Sequence, residues 1–339
     1  MRILVSRTDR IGDVVLTLPL CALLKTQLGA EVVVLGRAYT RPVLEASPFV
    51  DEILEWDAAE RDGAAAQRAL LASARADVVL HVFPRPDIAR AARAARISRR
   101  VGTSHRWYHW FTCNDLEHFS RKRSDLHEAQ LDVRLARSLV GDAVPSLDSL
   151  AQFTRLVPRV ALPPTVEAVL DQSRTIVVIH PGSGGSAREW PLDHWKALSE
   201  SLDSSRVQLL VSGSRDEGAR LRPWLESLPR HVVDLTGRLT LPELIALFTR
   251  VDGVVAASTG PLHVAAGAGA HALGLFPPTP PVHPGRWAPL GAHAEWLTAP
   301  AMCAAHARDG AACECMRAIS VETVRERVLA WTTLTEPSS

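Results

Sequence analysis

The chain has 339 residues, of which 47% are hydrophobic and 22% charged, and its formal net charge is +1. The length suggests about two domains, at ~100–200 residues each, and the near-zero charge excludes a molecule-wide field for non-specific nucleic-acid binding. The longest nearly apolar stretch, residues 14–24, contains Pro19 and is shorter than the ~20 residues of a membrane span. The first residues are typical of a strand rather than of a signal peptide. We therefore expect a cytoplasmic protein.

Short β-rich apolar runs alternate with helical patterns along the chain. Strands are predicted at residues 2–6, 31–35, 77–82, 99–101, 175–179, 207–211, 231–234, 253–256 and 272–276. Helices are predicted at residues 14–29, 41–46, 58–76, 191–202, 216–228, 241–250 and 261–268. Nearly continuous apolar strands alternating with helices predict an α/β fold whose parallel sheets are covered on both faces.

The strand-helix alternation starts afresh after a segment rich in proline. Residues 144–164 contain four prolines and no clean periodicity, which indicates a linker. We predict Rossmann-like domains at residues 1–160 and 165–320, followed by a C-terminal helix and tail at 321–339. Because doubly wound sheets bind ligands outside the carboxyl ends of their strands, a ligand cleft between the two domains is expected.

The first informative motif, residues 7–13, follows the first predicted strand and reads RTDRIGD. Gly12 permits a close backbone turn before the helix. Asp13 has two interpretations, which the local sequence leaves open. Its carboxylate either caps the helix or acts as a general base at the floor of the cleft.

The second motif, residues 180–191, reads HPGSGGSAREWP after the strand that opens the second half. Its glycines expose backbone N–H groups, Ser183 adds a hydroxyl, and Arg188 offers a charged fork, so the segment suits a phosphate. The pattern Gly182-x-Gly184-x-x-Ala187 also matches a dinucleotide fingerprint, although that fingerprint requires the helix to begin inside the glycines. The alternative is an ordinary surface loop.

The third motif, residues 256–266, is again a strand, a turn and a helix. The amides of Thr259 and Gly260, together with the helix dipole, predict an anion site. His263 falls on the first helical turn, where it either faces the anion or is a core histidine.

These motifs, in this order and spacing, resemble glycosyltransferase family 9, the ADP-heptose:lipopolysaccharide heptosyltransferases. The resemblance covers nearly the whole chain and is weakest over residues 60–165. The matching segments are Gly12-Asp13-Val14 with Thr17-Leu18-Pro19, residues 180–191, Asp234-Leu235-Thr236-Gly237, Thr259 to Ala266, residues 276–279, 287–291 and 315–319. One departure is Ser258, which stands where the family usually has Asp.

The resemblance implies a GT-B fold, with the acceptor in the first domain and the nucleotide-sugar in the second. It implies inverting transfer of a heptose or related sugar from an ADP-sugar to a lipopolysaccharide-core or similar acceptor, with no metal or cofactor. Asp13 would be the general base, and Arg188 would stabilise the departing diphosphate. The residues expected to bind the donor are Gly12, Ser183, Gly184, Arg188, Ser258, Thr259, Gly260 and His263.

Two other functions are considered. An NAD-dependent oxidoreductase would use the Gly182–Ala187 pattern and an acid, here Asp216, for the ribose. A non-catalytic sugar-nucleotide-binding protein is suggested by Ser258, although the Gly12-Asp13 pair argues against lost catalysis.

Three cysteines near the C-terminus are close in sequence to His306, and together they could form a metal site. They are Cys303, Cys313 and Cys315. Their spacing is not that of a zinc finger, and free thiols in a surface loop are the alternative.

Residues 85–106 contain seven arginines and one acid. Arg90, Arg93, Arg96 and Arg100 recur at helical spacing and predict a basic stripe. With Arg10, the last three are candidates for binding an anionic glycolipid acceptor at the cytoplasmic face of the inner membrane. The aromatic segment 106–111 that follows suits a sugar face or a membrane interface, and the alternative is a solvated arginine face beside a buried aromatic cluster.

Overall fold

The computed structural model describes residues 1–185, 187–280, 282–300 and 314–332. The chain divides into two compact units, Met1–Arg155 and Leu156–Ser339. This division falls within the proline-rich segment 144–164.

Unit 1 alternates strands with helices from its first residues. Its strands are β1 (Arg2–Ser6), β2 (Glu31–Gly36), β3 (Glu52–Glu55), β4 (Val78–Leu80), β5 (Arg99–Thr103) and β6 (Asp115–Glu117). Its helices are α1 (Ile11–Leu28), α2 (Arg41–Ala46), α3 (Trp56–Asp62), α4 (Ala64–Ser73), α5 (Pro86–Ala94), α6 (His109–Thr112), α7 (Glu128–Leu135), α8 (Arg137–Val140) and α9 (Leu147–Ala151), with 3₁₀ turns at Ala38–Thr40 and Arg121–Arg123.

The described strands of unit 1 form one parallel sheet in the order β3-β2-β1-β4-β5-β6. Leu4, Val33 and Val79 are fully buried between the sheet and its covering helices. Burial of each such side chain stabilises the fold by roughly 1.5–3 kcal/mol. The chain reverses its direction of sheet growth between β1 and β4, so this is the switch point at which doubly wound sheets bind ligands.

Unit 2 repeats the same construction. Its strands are β7 (Thr175–His180), β8 (Val207–Val211), β9 (Val233–Asp234), β10 (Gly253–Ala257), β11 (His271–Phe276) and β12 (Ala294–Thr298). Its helices are α10 (Pro164–Glu167), α11 (Leu192–Ser201), α12 (Arg215–Leu225), α13 (Leu241–Phe248), α14 (Gly260–Ala268), α15 (Pro284–Trp287), α16 (Glu314–Arg317) and α17 (Val321–Thr332).

The described strands of unit 2 form a second parallel sheet, in the order β12-β11-β10-β7-β8-β9. Read from its opening strand, this is the same order as in unit 1, with the switch point between β7 and β10. Trp190 and Trp195 meet edge to face with ring centroids 4.8 Å apart inside the core of this unit. The predicted α/β architecture of two doubly wound parallel sheets is confirmed.

Several predicted element boundaries are wrong. The helix expected at 58–76 is two helices, α3 and α4, separated by Gly63 at φ +88°. The strands β3, β6 and β12 were not predicted, because each carries charged residues and lies partly exposed rather than within a continuous apolar run.

Helix α1 runs for 18 residues, longer than the apolar stretch seen in the sequence. It is the one helix among the described residues whose length and composition would allow it to cross a membrane. Most of it is buried inside unit 1, where it packs against the sheet and α7. It is therefore placed as a core helix of this unit.

The prediction that the four arginines form a stripe along one helix is wrong. Helix α5 ends at Ala94, Arg96 adopts a left-handed conformation with φ +59°, and Arg100 lies on strand β5. Arg100 donates through Nε to the Thr112 carbonyl at 2.7 Å, and Arg93 donates to the Phe111 carbonyl. Two of the four arginines therefore brace the neighbouring α6 turn.

Candidate active site

The loop after β1 brings Asp13 to the switch point of unit 1. Helix α1 begins at Ile11, so Gly12 is buried in its first turn and Asp13 is its third residue. The residue at the capping position is Arg10, whose side chain is exposed. The interpretation of Asp13 as the helix cap is therefore wrong, and its carboxylate is instead paired with the guanidinium of Arg7.

Arg7 is the centre of a buried ionic cluster that the sequence analysis did not find. Its side chain is only 2% exposed. The Nε atom lies 2.8 Å from Asp9, and Nη1 lies 3.1 Å from Glu128 and 3.4 Å from Asp132. Together with Asp13, four carboxylates surround this one guanidinium, which fixes the position of each of them.

A second arginine completes the cluster from the 3₁₀ turn before α7. Arg121 pairs with Glu128 and lies 2.8 Å from Asp132. Thr17 Oγ1 donates to Asp132 at 2.7 Å. We refer to Arg7, Arg121 and the four carboxylates as the ionic cluster, in which, among the described residues, four acids surround two cations.

Burial raises the pKa of Asp9 to about 7, with the charges of Asp13 and Asp132 adding to the effect and Arg7 opposing it. Burial also raises the pKa of Asp132. Both shifts favour the protonated form of the two carboxyl groups. A proton on Asp9 removes one negative charge from beside Asp13.

The raised pKa of Asp9 predicts a pH-dependent stability. Between about pH 4 and 7 the folded chain keeps a proton that the unfolded chain has lost, so stability falls as the pH rises through this window and then levels off. The side chain of Asp9→Asn cannot ionise. We therefore expect the difference in unfolding free energy between this variant and the parent to grow by about 2–3 kcal/mol, in favour of the variant, as the pH rises from 5 to 8. Chemical denaturation at both pH values measures this gain. The exposed Asp142→Asn is the control, and equal gains for the two variants would contradict the prediction.

Two loops leave the sheet of unit 2 side by side at its switch point. Strands β7 and β10 are parallel neighbours, and His180 at the end of β7 is in register with Ala256. The glycine-rich segment after His180 and the Ser258–Gly260 turn after β10 therefore emerge at the same edge. The fold thus brings together the two predicted parts of the donor site.

The glycine-rich loop is organised by an internal carboxylate. Gly184 and Gly185 have φ values of +53° and +77°, which favour glycine. Glu189 accepts from the Ser183 amide at 2.9 Å and from the Ser183 hydroxyl at 2.8 Å. Arg188, the neighbour of Glu189, is half-buried. An anion that used the Ser183 amide would take the place of Glu189.

Close packing behind the loop favours glycine at its first glycine position, Gly182. A Cβ atom on Gly182 would lie 2.2 Å from Glu217 Oε1. His180 is buried beside this carboxylate and shares a hydrogen bond of 2.9 Å with Ser212. Burial lowers the pKa of His180, although Glu217 and Glu189 raise it. The base of the loop is therefore a packed polar layer.

The turn after β10 places an unsatisfied hydroxyl at a helix N-terminus. Thr259 Oγ1 is buried and has no hydrogen-bond partner within the described residues. The Thr259 amide, predicted to be free for an anion, instead donates to the Ala257 carbonyl at 2.7 Å. The first-turn amides of Gly260 and Leu262 have no acceptors within α14, and they form the positive end of its helix dipole. His263 is buried on the same turn, and Ser258 is half-buried before it.

The structure also removes the basis for the dinucleotide pattern. Helix α11 begins at Leu192, after Trp190 and Pro191, and not within the glycines. Asp216, the proposed ribose ligand, lies exposed in the first turn of α12 and not at the end of a strand. The side chain of Trp190 is committed to the core and donates to the Ile319 carbonyl at 3.0 Å.

Of the cysteines considered for a metal, Cys303 and Cys313 lie outside the described residues, as does His306. Cys315 is buried, so its expected place in a surface loop is wrong. Among the described residues, no three His, Cys, Asp or Glu side chains are grouped so that they could hold a metal ion.

Sequence reasoning missed Arg7, Asp9, Arg121, Glu128 and Asp132. Glu128 and Asp132 are four residues apart, a spacing that puts both carboxylates on one face of a helix. That spacing was the available signal, but residues 60–165 contain the weakest part of the family pattern.

Two Rossmann-like units, each a doubly wound parallel sheet with its own switch point, are the architecture of the GT-B glycosyltransferases. The protein-family model of glycosyltransferase family 9 (heptosyltransferase) matches residues 122–316, which is more than half of the chain. This chain belongs to glycosyltransferase family 9.

Relatives of known structure have the same fold over nearly their whole length. Escherichia coli ADP-heptose LPS heptosyltransferase II superposes with a TM-score of 0.78 at 21% identity, covering 99% of this chain and 100% of that one. E. coli heptosyltransferase WaaC with ADP superposes with a TM-score of 0.72 at 18% identity, covering 98% and 100%. A Haemophilus influenzae protein named as a glycosyltransferase is 24% identical over 303 residues, which cover 85% of this chain and 86% of the relative.

Proposed function

We propose that this enzyme transfers a heptose or a closely related sugar, with inversion, from an ADP-sugar to a hydroxyl of a lipopolysaccharide-core glycan. The observation that carries the proposal is that the Thr259 turn and the glycine-rich loop leave neighbouring strands at the same edge of the sheet. A buried hydroxyl that has no hydrogen-bond partner among the described residues, beside amides that have no acceptor within their own helix, suits a diphosphate. The E. coli structures named for ADP-heptose and ADP support this choice of donor.

Asp13 would act as the general base in unit 1. Arg7 fixes the Asp13 carboxylate at the start of α1, where it remains partly exposed to a substrate. An acceptor hydroxyl placed beside it would lose its proton to Asp13 as the oxygen attacks the anomeric carbon. Arg10 and Arg96, both exposed, remain candidates for binding an anionic acceptor, whereas Arg93 and Arg100 bind main-chain carbonyls.

The diphosphate would leave at the switch point of unit 2. Arg188, the Gly184 segment and the first turn of α14 would stabilise the charge that grows on its oxygens. Gly12, Ser183, Ser258 and His263 remain predicted donor contacts, and cytoplasmic localisation remains a prediction.

The experiment that tests the proposal is a donor screen read by mass spectrometry. Purified protein is incubated with lipopolysaccharide-core fragments and either ADP-heptose, another ADP-sugar or a UDP-sugar. We expect a heptose mass added to the acceptor and ADP released with ADP-heptose only. Transfer from the UDP-sugar alone would contradict the proposed donor. The absence of both transfer and slow hydrolysis with every donor would favour the binding-only alternative. NADH serves as the control ligand for the oxidoreductase alternative.

Arg188→Ala is expected to weaken ADP binding ~10–100-fold, since a hydrogen bond to a charged group contributes about 1.5–3 kcal/mol. It should also lower kcat, because the charge that Arg188 meets grows in the transition state. Calorimetry with ADP and single-turnover kinetics measure the two effects. Arg230→Ala, an exposed arginine of the same unit, is the control. Unchanged affinity and turnover would place the diphosphate elsewhere.

A further inference from the structure

Three large apolar side chains are exposed together around helix α6. Trp107 is 74% exposed, Trp110 58% and Phe111 68%. The Trp110 amide donates to the Trp107 carbonyl and the Phe111 amide to the Tyr108 carbonyl, so the helical geometry extends one turn before His109. Residues at spacing i, i+3 and i+4 share one helix face. The three rings therefore form one apolar surface, and the expected buried aromatic cluster is wrong.

The turn that carries these rings is firmly attached to unit 1. On its opposite side His109 is buried, and its Nδ1 atom lies 2.9 Å from the Thr103 carbonyl. Trp110 Nε1 donates to the Ser104 carbonyl at 2.9 Å, and Arg93 donates to the Phe111 carbonyl. Contiguous exposed apolar surface on an ordered element indicates an interaction site rather than a loose loop.

The surroundings of the rings are strongly basic. Residues 85–123 contain ten Arg and Lys and three acids, a net charge of +7 in a chain whose total is +1. The three acids are paired, Asp87 with Arg85, Asp115 with Arg99 and Glu117 with Arg137. The exposed basic residues of this segment are Arg90, Arg93, Arg96, Arg106, Lys122 and Arg123.

We propose that Trp107, Trp110, Phe111 and these exposed basic residues form a docking surface for an anionic lipid bilayer. Aromatic rings enter the interface between headgroups and acyl chains, and each arginine or lysine near an anionic leaflet adds about 1 kcal/mol. A second copy of the chain would bring the same excess of positive charge, and like charges oppose that contact. The proposal does not depend on which sugar the enzyme transfers.

Vesicle flotation tests the proposal with lipids that contain no glycan. Vesicles of 30% phosphatidylglycerol in phosphatidylcholine are compared with pure phosphatidylcholine. We expect the protein to float with the anionic vesicles only, and added salt to release part of it. The triple variant Trp107→Ser, Trp110→Ser and Phe111→Ser should bind at least tenfold more weakly. Trp296→Ser is the matched control, because Trp296 is a 46%-exposed tryptophan of unit 2, and circular dichroism checks the fold of both variants.

Three results would each overturn the proposal. The parent could bind anionic and neutral vesicles equally, it could bind neither, or the triple variant could bind as strongly as the parent. A dimer that light scattering detects in the parent and that the triple variant loses would instead assign the surface to a second copy. With a water-soluble acceptor fragment, the triple variant should keep parental turnover. A loss there would assign the rings to the sugar, and failure of all transfer with intact vesicle binding would overturn the proposed function alone.

Discussion

Asp13→Asn is expected to lower turnover ~10²–10⁴-fold, the usual contribution of a positioned general base. Asparagine has nearly the same shape, but it cannot take the proton from the hydroxyl of the sugar acceptor. The fold should persist because Asp13 is only one of the four acids around Arg7, and ADP binding in unit 2 should not change.

Single-turnover kinetics with saturating donor measure the effect of this substitution, and calorimetry confirms ADP binding. Asp142→Asn, a change of an exposed acid in the same unit, is the matched control. Turnover within threefold of the parent would remove Asp13 from the mechanism. Asp9, whose pKa lies near neutrality, would then be the carboxylate to test as the base.

Arg7→Met is expected to destabilise unit 1 by about 3–5 kcal/mol, because it leaves buried carboxylates without their common cation. Methionine removes the charge without a large change in side-chain volume. The loss of stability therefore reports the missing charge rather than a cavity. Arg68→Met, an exposed substitution on α4, is expected to change stability by less than about 0.5 kcal/mol.

Urea denaturation followed by circular dichroism measures both arginine variants. Adding Asp132→Asn to Arg7→Met should recover part of the loss, since it removes one of the orphaned charges, and this coupling distinguishes electrostatics from packing. A loss below 1 kcal/mol for Arg7→Met, or no recovery in the double variant, would contradict the assigned role of Arg7.

The central strands of both sheets were predictable because they are buried on both faces. The TIVVI and RILVS runs are nearly continuous apolar segments, a pattern that few other structures produce. Edge strands such as β3 and β6 are half-exposed and carry acids, so their sequences lack that pattern. The break at Gly63 also depends on a backbone conformation that hydrophobic spacing does not encode.

The motifs of the candidate site were predictable where function depends on neighbouring residues of the sequence. Gly12-Asp13 and the Thr259-Gly260 turn are local arrangements that follow directly after strands. The ionic cluster joins residues more than a hundred positions apart, Arg7 with Asp132, and only the fold brings them together. The arginine spacing predicted a helix wrongly, because β5 begins at Arg99 and the chain turns at Arg96 first.

The contact between Glu189 and Ser183 means that the glycine-rich loop contains its own competitor for a ligand. A carboxylate and a phosphate oxygen that shared one amide proton would repel each other, so a diphosphate that used the Ser183 amide would displace Glu189. Glu189 adjoins Trp190, which is anchored in the core by its bond to Ile319, so the displaced carboxylate stays close. It would then be close enough to take up the Ser183 amide again once the anion has left.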